Sequence, residues 1–197
     1  MTADFTALQT IIRNRRTVKP NLFNGQIIPD EEINQLLELA DWAPTHAYTE
    51  PWRFKVFSGE KVKQFCHNHA ELYRQNTDPV DFMQAKYDKL LHMGDLASHI
   101  IIAIMQRGSN PKIPVLEEIA STSCAVQNML LGATALGIAS YWGSGGMAYK
   151  PPMKTYLNLR EEDLILGIIY LGYTDKPKAE GIRKTPLDEK IDWQWIE

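Results

Sequence analysis

Two strongly apolar segments constrain the fold of this 197-residue chain more than any other feature. The first is SHIIIAIMQ, residues 98–106, and the second is LILGIIYLGY, residues 164–173. Both are far shorter than the roughly 20 apolar residues that a membrane helix needs. Short apolar runs of this kind predict strands, and the first run is typical of a strand buried at the centre of a sheet.

Helices are predicted between these strands, because apolar residues recur there every three or four positions and helix-start signals such as PDEE precede them. The segment 114–136 is the most apolar of them and is predicted to be the buried central helix, with Leu116 and Cys124 among its apolar residues. The other predicted elements are an N-terminal helix ending in RNRRTVK (13–19), a helix from PDEE (29–32) that stops before Pro44, a strand at 52–59, helices at 60–75 and about 79–93, a short strand in IASYWGSGG, and a helix at PPMKTYLNL.

Composition and charge narrow the class of protein. The net charge of −3 offers no general attraction for nucleic acid or an acidic membrane. The N-terminus lacks the charged head and apolar core of a signal peptide, so we expect a cytoplasmic protein without membrane or nucleic-acid partners. Cys66 and Cys124 are the only cysteines, and both fall in helical segments where a small buried side chain fits, so no disulfide framework is expected. The length favours one domain over residues 1–197.

The first candidate site is the basic sequence RRTVK at the end of the N-terminal helix. The guanidinium groups of Arg15 and Arg16 match phosphate oxygens in bidentate geometry, and Thr17 adds a hydroxyl donor. With Lys19, these donors suit a phosphomonoester. Cations at a helix C-terminus also complement the helix dipole, so the cluster alone leaves both interpretations open.

The second candidate is WAPTHAYTEPWRF, residues 42–54, between the second helix and the next strand. Pro44 breaks the helix and exposes backbone groups, and a flat side chain such as Trp42 can pack on a planar ring. His46 can donate to a ring carbonyl or a phosphate. The alternative is a simple helix-to-strand connection in which Trp42 and Trp52 anchor the core and His46 is exposed.

Two weaker signals follow later in the chain. The glycine-rich segment YWGSGG, residues 141–146, lets backbone approach a ligand closely, but it lacks the spacing of a dinucleotide-binding turn or a P-loop. The segment GIRKTPL holds the basic pair Arg183 and Lys184. CHNH at 66–69 has no second ligand pair at zinc spacing, so no metal site is predicted.

In this order and spacing, the segments RRTVK, APTHAYTEPWRF, LGIASYWGSGG, ILGIIYLGY and the basic tail resemble the FMN-dependent nitroreductase family over nearly the whole chain. The resemblance implies an α+β fold, a three-layer α/β/α sandwich around a central mixed sheet. It also implies an interlocked homodimer with FMN at the subunit interface, reduced by NADH or NADPH. The loop departs from the family pattern at Tyr48 and Glu50, where Asn and Gln are common.

The resemblance also implies roles for individual residues. Arg15 and Thr17, with Arg183 or Lys184, would bind the phosphate, and Arg16 would join them through backbone or side chain. Lys19 would lie near the pyrimidine edge of the flavin, where a cation stabilises the reduced ring. The loop covering the ring would contain Trp42, Pro44, Thr45 and His46, and the segment near N5 would contain Trp142, Gly143 and Ser144.

The expected function is NAD(P)H-dependent reduction of nitroaromatics, quinones or similar electron-poor acceptors by a ping-pong route through flavin N5. The flavin carries the chemistry, so no side chain is predicted to be catalytic. A flavin-binding module without turnover, or a divergent flavin chemistry on the same fold, would use the same pocket. Both alternatives stay open from the sequence.

Overall fold

The computed structural model describes residues 2–194 and contains one sheet between two layers of helices, which confirms the α/β/α sandwich. None of the helices in these residues is long and apolar enough to cross a membrane. The helices are α1 (Ala3–Asn14), α2 (Asp30–Asp41), α3 (Glu60–Gln75), α4 (Gln84–Leu91), α5 (Val115–Ala135) and α6 (Pro151–Tyr156), and the strands are β1 (Trp52–Ser58), β2 (His99–Met105), β3 (Ala139–Gly143) and β4 (Leu164–Gly172).

The sheet has the strand order β1-β2-β4-β3, and its neighbouring strands pair antiparallel. In the described residues, parallel pairing is limited to a single bridge between Thr17 and Ser140. The sheet was predicted to contain both parallel and antiparallel pairs, and among the described residues the parallel pairing is confined to this bridge. The bridge attaches the segment after α1 to the outer edge of β3. The two apolar runs form the inner strands β2 and β4, as their composition predicts.

Alternate side chains of the inner strands fill two separate cores. Ile101 and Ile169 face α2 and α5 on one side of the sheet. Ile102 and Tyr170 face the other side, where Phe65 of α3 and residues of α4 and α6 cover them. Both faces of β2 are thus buried, which explains the unbroken apolar run from Ile100 to Met105.

A buried ion pair joins the end of β2 to the start of α5. The Glu118 carboxylate is 1% exposed, and it accepts hydrogen bonds from Arg107 Nη1 at 2.5 Å and the Gly108 backbone N–H at 3.0 Å. Arg107 N–H in turn donates to Asp163, which precedes β4, at 3.0 Å. This network fixes the loops at one end of the sheet.

Two expectations about α5 are wrong in detail. Leu116 is 74% exposed, and Cys124 is exposed, although both were predicted to be buried. They lie on the face of α5 that points away from the sheet. The prediction rested on apolar residues covering more than one face of the helix, but in a single chain the sheet and α2 cover only part of its surface.

The helix predicted at about 79–93 begins only at Gln84. Asp78 accepts a hydrogen bond from Val80 N–H at 3.0 Å, which forms a turn around Pro79. Tyr73 then accepts a hydrogen bond from Met83 N–H at 3.0 Å and holds the chain at the start of α4.

Candidate functional site

The segment Arg15–Lys19 runs beside β3 and is held there by its backbone. Val18 N–H donates to the Ser140 carbonyl at 2.9 Å, next to the Thr17–Ser140 bridge. Arg15 is half-buried, and its guanidinium has no hydrogen-bond or ion-pair partner within residues 2–194. Thr17 and Lys19 are exposed. Three of the side chains that were predicted to contact the phosphate or the flavin therefore lie on one short segment and are available to a ligand.

The side chain of Arg16 makes hydrogen bonds with three backbone carbonyls. Its Nε donates to the Ala179 carbonyl at 2.9 Å, and its Nη1 donates to the carbonyls of Arg13 and Arg15. Two of its guanidinium nitrogens, Nε and Nη1, are therefore engaged by backbone oxygens. Its structural effect is to tie the C-terminal tail to the end of α1.

The tail carries the second predicted group of cations. Arg183 and Lys184 are exposed, and Arg183 Nη1 donates to the adjacent Ile182 carbonyl at 3.1 Å. The bond from Arg16 to Ala179 anchors the tail four residues before Arg183. The two basic clusters are thus connected, although the tail beyond this anchor lies on the surface.

Trp142 and the following residues form the third predicted region. The Trp142 indole N–H donates to the Leu166 carbonyl at 2.9 Å, so it is not available to a flavin. Its ring lies over Gly167, whose φ is +152° and where a Cβ would clash with the indole. Beyond Trp142, Gly143 is buried and Ser144 is exposed. We call residues 143–147 the glycine loop.

Two adjoining cavities lie between the glycine loop, α4 and the segment after Lys19. The larger has a volume of about 340 Å³ and the smaller about 200 Å³. They share Lys89, Met93 and Tyr141. No carboxylate is among the described residues that line either cavity, so the local charge is positive. The lining includes Lys19, Asn21, Lys86, Lys89, Met93, Tyr141 and Gly143.

The sequence reasoning missed the lysines of α4. Lys86 and Lys89 lie three residues apart, so they project from the same face of the helix toward the cavities. The Lys86 ammonium lies 4.5 Å from the centre of the Tyr73 ring, which orients it by a cation–π contact. The three-residue spacing of the two lysines could have indicated a basic face on α4, but the same spacing is common on helix faces that only contact solvent.

The loop after α2 is strained and presents aromatic rings to solvent. Ala47, Tyr48 and Glu50 have φ values of +51°, +54° and +40°, which are costly for residues other than glycine. Trp42 is 86% exposed and Tyr48 is 89% exposed, so the alternative in which Trp42 anchors the core is wrong, although Trp52 is buried.

Side chains hold this loop in its shape. The Thr45 hydroxyl accepts the Glu50 N–H at 3.1 Å and lies 2.9 Å from the Thr49 hydroxyl. The Nδ1 atom of His46 forms a hydrogen bond with Glu117 at the start of α5. Pro44 and His46 remain exposed. The strained backbone is thus fixed from several sides, which is common at ligand-binding loops.

One chain does not bring the two halves of the predicted site together. The loop at 42–50 precedes β1 at one edge of the sheet, whereas the Arg15–Lys19 segment and the glycine loop adjoin β3 at the other edge. Three strand intervals separate these edges, which corresponds to about 14 Å. In a single chain, the two halves of the predicted site therefore lie at opposite edges of the sheet.

Large apolar side chains are exposed on elements next to the site. On α1, the apolar row has no buried member, and Phe5, Leu8 and Ile12 are each about half exposed. Helix α1 contacts α5, whose outer face exposes Leu116 and Cys124. Exposed apolar patches of this kind mark interaction surfaces.

Within residues 2–194, no group of His, Cys, Asp or Glu side chains is arranged to hold a metal ion. Two imidazoles line the cavities: His92 lines the larger one, and His69 of α3, which is 1% exposed, lines the smaller one. Burial, with a smaller effect from the charge of Lys86, lowers the pKa of His69 from 6.5 to about 4. His69 is therefore neutral near pH 7.

Comparisons with known proteins agree with the fold. The sequence pattern described as "Nitroreductase family" matches residues 12–173, so the chain belongs to the nitroreductase family. YfhC of Bacillus subtilis, which has the provisional name NAD(P)H nitroreductase, is 28% identical over 94% of this chain and 93% of its own length.

Two solved structures extend the comparison. A nitroreductase-like family protein from Bacillus cereus is 27% identical, with a TM-score of 0.78 over 98% of both chains. The FMN-dependent nitroreductase NfnB from Mycobacterium smegmatis, solved in complex with NADPH, is 20% identical, with a TM-score of 0.75 over 97% of this chain and 99% of that one. At this identity, the likeness to NfnB concerns the fold.

Proposed function

We propose that two copies of this chain bind FMN at their interface and use it to transfer hydride from NADH or NADPH to an electron-poor acceptor, such as a nitroaromatic or a quinone. Membership of the nitroreductase family and the names of its relatives support this reaction class. The observation that carries the proposal is the separation of the two halves of the site at opposite edges of one sheet.

The described residues fit a flavin mononucleotide. Its phosphate needs cations and hydroxyl donors without competing carboxylates, and the unpartnered Arg15 guanidinium beside Thr17 provides them. Arg183 or Lys184 on the tail adds a further cation. The adjoining cavity of about 340 Å³ falls within the usual range of about 300–1,000 Å³ for small-molecule sites.

The residues around the ring would bind and orient it. Lys19 would stabilise negative charge at the pyrimidine edge of a reduced flavin, and this raises its reduction potential. The backbone of residues 142–144 would face the N5 edge. From the partner copy, the loop with Pro44, Thr45 and His46 would cover the ring and exclude water, and Trp42 would add a flat wall.

Bound FMN would supply the redox chemistry by which hydride passes from the nicotinamide to the acceptor. This chain's contribution is to hold the ring and both substrates in contact with it. No side chain needs to act as a general base, so we assign no catalytic residue. Protons for the acceptor would come from solvent.

The dimer would form through the apolar surfaces on α1 and α5. Phe5, Leu8 and Ile12 of one copy, with Leu116 of α5, would be buried against the partner. The exposed tail, which carries Ile182 and Leu187, would extend this contact. Burying these groups contributes about 25 cal/mol for each Å² of apolar surface removed from water. The same association would bring the loop of one copy to the glycine loop of the other.

The test is to purify the protein, measure its mass in solution, and record its absorbance before and after anaerobic addition of NADPH or NADH. The proposal predicts a yellow dimer with one FMN per chain, which is bleached by at least one of the nicotinamides and restored by a nitroaromatic or a quinone. A yellow protein that neither nicotinamide bleaches would identify a flavin-binding module without turnover. A colourless monomer that does not take up added FMN would contradict the proposal.

A further inference from the structure

His69 connects α3 to the glycine loop through a buried hydrogen bond. Its Nε2 accepts the Met147 backbone N–H at 2.8 Å. The imidazole is 1% exposed and packs against Phe65, with 5.9 Å between the ring centres. Met147 is itself buried. A backbone N–H in such a place is costly to leave unpaired, so the loop depends on this acceptor.

The hydrogen bond requires one particular form of the imidazole. Because Nε2 accepts, the ring proton of the neutral side chain must be on Nδ1. This Nδ1 atom is buried and has no hydrogen-bond partner in the part of the chain that the structure describes. A second proton on the ring would remove the acceptor for Met147. Burial of the ring, however, keeps its pKa at about 4.

Gly146 provides an independent sign that the loop is shaped around this ring. Its φ is +65°, and a Cβ at this position would clash with the His69 imidazole and lie 2.8 Å from Leu90 Cδ2. The backbone of the loop therefore approaches the imidazole as closely as a residue without a side chain allows. Both the hydrogen bond and the contact surface fix where the loop lies.

We propose that His69 is a positioning residue that holds the glycine loop in the place where residues 143 and 144 face the cofactor. This inference rests on the proposed function, because the loop matters only if FMN lies beside it. His69 acts on the loop through Met147 and Gly146. A shift of the loop would change the backbone groups that face the flavin, and with them both its affinity and its reduction potential.

The test compares three variants in the full-length protein. His69→Leu removes the acceptor, and His69→Gln keeps an oxygen that can accept the Met147 N–H. His67→Leu, on the exposed side of the same helix, is the matched control. We expect His69→Leu to raise the dissociation constant of FMN about tenfold, as for one lost buried hydrogen bond. It should also alter the visible flavin spectrum and the midpoint potential.

His69→Gln should recover most of the affinity and spectrum, and His67→Leu should match the wild type. If His69→Leu does not fold, His69→Gln and Gly146→Ala carry the test. Gly146→Ala should weaken FMN binding, because the added methyl group displaces the loop from the imidazole. If His69→Leu has the FMN affinity, visible spectrum and midpoint potential of the wild type, the inference is overturned and the proposed function is left intact. If His69→Leu does not fold, the same result in Gly146→Ala has this meaning. A wild-type protein that does not bind FMN would overturn both.

Discussion

Replacing Arg15 with Ala should weaken FMN binding without weakening the fold. The Arg15 guanidinium has no partner within residues 2–194, so its removal leaves no protein group unpaired. A hydrogen bond to a charged group contributes about 1.5–3 kcal/mol. Because Arg15 is only half-buried, solvent screening places the effect in the lower part of this range. A loss of about 1.5–2 kcal/mol corresponds to a rise in the dissociation constant of roughly 10- to 30-fold.

The assay is titration of the apoprotein with FMN at two salt concentrations, together with thermal unfolding of the apoprotein. Arg13→Ala is the matched control, because Arg13 is an exposed arginine in the last turn of α1, two residues before Arg15. The control should bind FMN like the wild type. The effect of Arg15→Ala should be smaller at high salt, since screening weakens the lost interaction. If Arg15→Ala binds FMN as tightly as the control, the phosphate site is assigned to the wrong residues.

Three further results are expected. Arg107→Met should lower the free energy of unfolding in urea by about 3–5 kcal/mol, because it leaves the buried Glu118 carboxylate without its cation; a loss below 1 kcal/mol would refute this role. Ile12→Asp should shift the protein from dimer to monomer in sedimentation and remove bound FMN, and a yellow dimer would show that α1 lies outside the interface. The pKa of His69 is lower in the folded protein than in the unfolded chain. The contribution of the neutral His69 side chain to the free energy of unfolding is therefore complete above pH 6.5 and is lost as the pH falls from 6.5 to about 4. This loss should reach roughly 3 kcal/mol and be absent in His69→Gln, as measured by urea unfolding at each pH.

The sequence predicted the elements whose signals are local. The long helix expected at 114–136 is observed at Val115–Ala135, and the strand expected at 164–173 is observed at Leu164–Gly172. Periodicity and turn signals determine these bounds, because they depend on neighbours along the chain. The antiparallel pairing of every neighbouring strand was not predictable in this way, since register depends on partners far apart in sequence.

The exposed face of α5 shows what periodicity leaves open. Leu116 was predicted to be buried because the helix is apolar on more than one side, but a single chain leaves it 74% exposed. An apolar pattern indicates which side chains favour burial, but it does not indicate which surface covers them. The same limit applies to α1, whose apolar row is half exposed.

The residues of the candidate site were also predictable from the sequence only in part. Motif order indicated Arg15, Thr17 and Lys19, and all three are available to a ligand. It did not indicate that Arg16 would be engaged by the Ala179 carbonyl, because this contact joins residues 163 positions apart. The positive φ of Ala47 and its neighbours was also hidden, since none of them is the glycine that normally signals this backbone.

The most direct test of a site shared between two chains is complementation between two damaged copies. One copy carries Arg15→Ala, and the other carries Trp42→Ala with His46→Ala in the covering loop. In a mixed dimer, a shared site predicts one intact pocket, made from the undamaged Arg15 of one copy and the undamaged loop of the other, and therefore one tightly bound FMN per dimer. If each chain built its own site, both pockets would be damaged, and FMN affinity in the mixed dimer would be no higher than in the two parent variants.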